Sequence, residues 1–114
     1  MPRAIFSSPQ VAAVGFTEQE LIENGTDYLK SSYPYIKTGM GQAIEDKDGF
    51  VKFLVYRKDR KILGCHILGT HASILIHEVL AIMRSGDNII DNIPYTIHIH
   101  PSLSEVISRG AGSI

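Results

Sequence analysis

Tryptophan is absent and cysteine occurs once. A lone Cys65 excludes an internal disulfide and any CxxC redox or zinc pair. Set in an apolar run beside Leu63 and Ile67, it reads as a small buried hydrophobe. Charge of one sign is not in excess: 11 Lys and Arg face 12 Asp and Glu, a net charge of −1. That balance leaves no electrostatic footprint for nucleic acid. No apolar run approaches the roughly 20 residues that cross a bilayer, so no membrane partner is expected. The first ten residues, Met1 to Gln10, lack the apolar segment of a signal peptide, and the cytoplasm is the expected compartment. No G-x-G-x-x-G follows a strand pattern, so the glycine-rich phosphate cradle of a dinucleotide site is not encoded.

What remains is ordinary globular material: 114 residues, 44% hydrophobic and 20% charged, enough for a single domain over 1–114. Arg3 to Pro9 reads as an irregular lead-in. Val11 to Gly15 is a short apolar run suited to a buried strand. Thr17-Glu18-Gln19-Glu20 is a capping box, because the Thr17 hydroxyl can accept an N–H three residues on while Glu20 reaches back. Its helix should run to about Asn24 and stop at Gly25. Tyr28 to Ile36 reads as a strand, and Pro34, which lacks a donor, argues for an edge. Thr38 to Asp48 looks irregular, closing on the Asp46-Lys47-Asp48-Gly49 turn. Phe50–Tyr56 and Lys61–Leu68 both alternate, with Val51, Phe53 and Val55 facing one way on the first and Leu63, Cys65 and Ile67 on the second. The polar loop between them predicts an antiparallel hairpin. His71 to Arg84 is the strongest helix, with an apolar stripe wider than one sheet requires. Asp87 to Ile93 predicts a helical turn, and Tyr95 to His100 an irregular stretch. Pro101 suits the first turn of a last helix running to about Ser108, with Gly110, Gly112 and Ser113 as a loose tail. The order predicts an α+β fold, an antiparallel sheet with helices packed on it.

Chemistry concentrates in Thr96 to Glu105. His100 precedes a proline, and Glu105 follows five residues later on the first turns of the proposed helix. A helix folding back on the preceding strand can bring that carboxylate to the imidazole, fixing its tautomer and stabilising its cation. Spacing alone leaves three readings open: an acid–base pair, a metal site using His98 and His100, or plain structure. Metal sites need further ligands, and His66, His71 and His77 lack convincing spacing, so none is assigned. His77 is expected to be a hydrogen-bonded structural histidine; His66 and His71 are expected at the surface or in loops.

Motifs in order along the chain resemble the C-terminal dimerisation domain of the pyridine nucleotide–disulfide oxidoreductases. They are Pro2 to Pro9 with Val11 to Gly15, the Thr17 to Glu20 box, Gly49 to Lys52, Ile62 to Gly69, Ala72-Ser73 with Leu75 to Glu78, and the signature His98-Ile99-His100-Pro101-Ser102-Leu103-Ser104-Glu105. The form of that signature is most similar to the dihydrolipoyl dehydrogenase branch. The resemblance implies that His100 is the acid–base residue of a disulfide half-reaction and that Glu105 polarises it. It implies a homodimer in which His100 serves the partner subunit's redox disulfide and flavin, with His98 and Pro101 as flavin-side contacts and Tyr95 packing toward the partner. It further implies FAD and NAD in the full-length enzyme, on domains outside this chain, and a lipoyl-bearing protein as substrate. The fragment alone would then bind no cofactor and be inactive. A glutathione-type reductase domain and a stand-alone interaction module without catalysis are the alternatives. Two positions depart from the family pattern: Arg60 stands where many relatives have a turn glycine, and Ile74 where many have Glu.

Overall fold

The computed structural model describes residues 2–5, 10–84, 86–94 and 98–114. Five strands form one sheet in the order β1-β2-β5-β4-β3: β1 Arg3–Ile5, β2 Val11–Gly15, β3 Tyr28–Pro34, β4 Phe50–Tyr56 and β5 Ile62–Leu68. Every neighbouring pair is antiparallel. The α+β expectation holds. Pro34 closes the edge strand β3, where a missing N–H leaves no ladder bond broken. The lead-in is not wholly irregular, because Arg3–Ile5 pairs with Ala13–Val11 as a second edge strand. Residues 6–9 lie outside the described residues.

Period-two alternation builds the inner face. Val51, Phe53 and Val55 of β4 and Cys65 and Ile67 of β5 are buried there, under helices α3 (Ala72–Arg84) and α4 (Ser104–Gly112). Helix α3 lies over β2 and β5, and α4 over β3 and β4. Leu75, Ile76 and Val79 of α3 and Val106, Ile107 and Ala111 of α4 complete the core. The expectation that Leu63 shares the inner face fails. The register slips between Leu54↔Gly64 and Val55↔Ile62, so Ile62 takes the inner position and Leu63 becomes the extra residue of a bulge. Two glycines permit this. A Cβ at Gly64 would stand 2.2 Å from Phe16 O, and one at Gly15 2.2 Å from Leu63 O. The backbones instead close to a Phe16 N–H to Leu63 O bond of 2.9 Å.

Two further expectations need correction. Residues 39–43 form a short helix α2 (Gly39–Ala43), started by Thr38, whose hydroxyl accepts the Gly41 N–H at 3.0 Å. Helix α4 begins three residues after Pro101 and runs through the glycines assigned to a tail. Gly110 is buried because α4 meets the sheet there: a Cβ would stand 2.6 Å from Val51 Cγ1, and its carbonyl accepts the Ser31 hydroxyl at 2.8 Å. Arg60 does carry a positive φ, 62°. Its strained turn is held by a two-pronged bond to Asp91 at 2.7 and 2.8 Å.

Helix α1 (Glu18–Glu23) crosses the outer face, fastened by the expected capping box. Glu18 accepts from Lys52 Nζ at 2.7 Å and Tyr28 OH at 2.6 Å. Those two bonds, the lysine first, hold its carboxyl down at about 2. A depressed carboxyl stabilises the folded state above its unfolded value, about 4.5 here, and the contribution is lost as pH falls toward about 2. Lys52→Met is therefore expected to flatten the acid-side fall of the unfolding midpoint across that window. Thermal melts at stepped pH read this, and parallel curves for the two proteins would contradict it.

Candidate functional site

The His100 region is built by the start of α4. Its N-cap residue, Leu103, offers no side-chain acceptor. Glu105, in the first turn, reaches back instead: one oxygen accepts the Ser102 N–H at 3.1 Å and meets His100 Nδ1 at 2.8 Å. The His100–Pro101 bond is cis. Glu105 is 12% exposed and the His100 side chain 75%. The carboxylate thus lies under an imidazole that stands in solvent. An ionised carboxylate only accepts, so Nδ1 carries the hydrogen of the neutral ring and Nε2 is left with its lone pair. The bond from His100, helped by the Ser102 N–H and by Arg109, whose Nη2 lies 3.9 Å away, lowers the Glu105 carboxyl and keeps it ionised. The arrangement can take up a proton at Nε2 and stabilise the resulting cation.

His98 does not point toward His100's partner. Its Nε2 lies 2.6 Å from Glu78 Oε2 on α3. The ring is thus engaged with α3, while Pro101 is exposed. His66 binds the Phe16 carbonyl at 3.0 Å, while His71 and His77 are exposed. No group of three or more His, Cys, Asp or Glu suited to a metal occurs among the described residues. Tyr95, Thr96 and Ile97 lie outside the described residues.

An open cleft of about 330 Å³ adjoins the pair, lined by Met40, Ile44, Thr70, His71 and Pro101 to Leu103. Asp46 shapes it, a residue legible in the sequence only as a turn former. It accepts the Thr70 N–H at 2.9 Å and hydroxyl at 2.8 Å, and the Gly49 N–H at 2.8 Å. Burial raises its carboxyl, but these bonds outweigh that and the net shift is downward. Ile99, beside His100, is 79% exposed, and Ile74 on α3 is 63% exposed. The wide stripe of α3 thus leaves apolar surface outside the core.

The sequence matches, over residues 1–111, the family described as pyridine nucleotide-disulphide oxidoreductase, dimerisation domain. It is 39% identical over 111 residues to the mitochondrial dihydrolipoyl dehydrogenase of Dictyostelium discoideum, covering 97% of this chain and 22% of that protein. Against the dihydrolipoyl dehydrogenase of Geobacillus stearothermophilus the identity is 36%, over 97% of this chain and 23% of that protein. The chain spans less than a quarter of the length of these curated relatives. Among solved structures, the HOCl-induced flavoprotein disulfide reductase RclA of Escherichia coli superposes with a TM-score of 0.90 at 26% identity, over 98% of this chain and 26% of that chain. LpdA of Mycobacterium tuberculosis gives a TM-score of 0.90 at 23% identity, over 99% of this chain and 24% of that chain, a likeness of fold.

Proposed function

The chain belongs to the dimerisation-domain family of the pyridine nucleotide-disulphide oxidoreductases, and from that premise we propose that it serves as the dimerisation domain of a dihydrolipoyl dehydrogenase. In this reading residues 1–114 are one domain, and the FAD and NAD domains of the enzyme lie outside it. The single observation that carries the proposal is the His100–Glu105 pair, an exposed imidazole on a nearly buried carboxylate at 2.8 Å. Its Nε2 removes a proton from an incoming dithiol, so that the thiolate attacks the partner subunit's redox disulfide. In the reverse direction it returns the proton to the leaving thiol. Glu105 keeps the tautomer that leaves Nε2 free and stabilises the imidazolium.

No glycine fingerprint occurs in the sequence, and the chain's part toward FAD is limited to the backbone around His98 and Pro101. A lipoyl-bearing protein is the substrate this reading implies, with the exposed apolar surface of Ile99 and the adjoining cleft at its approach.

The shared site has a decisive test in mixed dimers of the full-length enzyme. One subunit carries His100→Ala, and the other has its redox cysteines replaced by serine. Each homodimer should be inactive. The heterodimer should regain about half of the wild-type turnover, because a two-fold dimer then keeps one site with both an intact disulfide and an intact histidine. No recovery in the heterodimer would refute a histidine that works across the interface.

A further inference from the structure

His98 and Glu78 form a second imidazole–carboxylate pair, two residues upstream of His100 and unused in the scheme above. Its contact, 2.6 Å between Nε2 and Oε2, is as short as any side-chain bond near the site. The His98 side chain is 10% exposed and that of Glu78 26%, so the bond is largely shielded from water. Shielded bonds to a charged acceptor are the stronger kind. Glu78 stands on α3 between Ile76 and Val79, both packed in the core. Its place is therefore fixed by the hydrophobic interior, and it transmits that rigidity to the segment leading into Pro101.

His100 needs such support. Its ring is 75% exposed and has one hydrogen bond, to Glu105. Downstream, the Ser102 N–H to Glu105 bond and the Ser102 hydroxyl to Ile99 carbonyl bond of 2.6 Å tie the turn to α4. Upstream, the backbone of residues 98 and 99 is tied to α3 by the His98 ring. The imidazole of His100 thus sits between two anchors on two different helices. Catalytic groups work when held within about half an ångström of the productive geometry by neighbours whose own rotamers are locked.

We propose that the His98–Glu78 pair is a positioning device for His100, fixing the backbone before Pro101 to α3 so that Nδ1 meets Glu105 in one orientation. The functional meaning of this rests on His100 being the acid–base residue, but the orientation itself is measurable without turnover. The test is nitrogen-15 NMR of the histidine rings in this chain, at a pH where imidazole is neutral. Wild type should show His100 as the single tautomer protonated at Nδ1. Glu78→Ala should lose it, with the two ring nitrogens moving toward averaged shifts. Glu78→Gln, which keeps an acceptor, should restore the single tautomer. Alanine is the best helix former, so α3 is expected to persist; were that variant not to fold, His98→Phe, which fills the space without a ring nitrogen, reads the same loss. A merely structural bond would lower the unfolding midpoint and leave the His100 ring signals where they were. That result, in whichever variant folds, overturns the proposal. It would leave the mixed-dimer experiment untouched, just as failure of that experiment would leave the tautomer result standing.

Discussion

Replacing His100 with alanine in the full-length enzyme is expected to slow the dithiol half-reaction by about 10²–10⁴-fold, the usual worth of a positioned general acid–base group. The argument is one of protonation states. A dithiol at neutral pH is mostly protonated, and the thiolate is the attacking species. Nε2 of His100 is the lone pair that the Glu105 bond leaves available. Without it the proton must go to water. Flavin should remain bound, because the side chain removed is three-quarters exposed and makes one bond, to Glu105. Rapid mixing of oxidised enzyme with dihydrolipoamide, followed through the flavin spectrum, measures the step. Unchanged reduction kinetics would remove His100 from the chemistry.

Phe53→Ala should cost about 3–5 kcal/mol of unfolding free energy, the range for truncating a buried Phe. Phe53 is fully buried at the centre of β4, opposite Ser31 on one side and Cys65 on the other, under the face that α4 covers. No neighbour can swing in to fill the space. Beta strands hold their Cα positions on both sides, and the facing helix already approaches as closely as Gly110 permits. For a domain with the usual 5–15 kcal/mol in hand, that loss removes a large part of the total. Chemical denaturation should show it, with Ile22→Ala as the control. Ile22 is 59% exposed on α1, and its truncation should stay within about 0.5 kcal/mol. Equal effects at the two positions would mean that the inner face is not the core.

Where local chemistry decides local structure, the residues could be read directly. The Thr17–Glu20 capping box needs only its own four residues, and it forms with both bonds in place. The hairpin of β4 and β5 follows from alternation and a polar loop. The bulge did not follow. Alternation counts residues, and nothing in the local pattern says that Leu63 is passed over; the cause is the approach of Gly15 and Phe16 from a strand some fifty positions away, within the distance of the Phe16–His66 bond. Helix α4 starts later than the sequence suggests for a different reason, and a local one. Pro101 is a good first-turn residue, but Glu105 binds the Ser102 N–H and so sets the start further along. At the site, the His100–Glu105 pair spans five residues and could be anticipated from spacing. His98–Glu78 spans twenty and joins a loop to a helix face. No sequence interval announces it, since only the packing of α3 on the sheet brings the two together.

Cys65 has a consequence for a protein of this kind. It is fully buried between Val14 and Phe53 on neighbouring strands, and burial pushes its thiol well above the ordinary range. Sulfur exchange proceeds through the anion and requires contact with the attacked atom, and here both are denied. On the proposed reading, in which reactive dithiols pass beside it, this domain therefore carries no cysteine that can be trapped as a stray mixed adduct. Repeated oxidation and reduction next door would then leave this part of the molecule unscrambled.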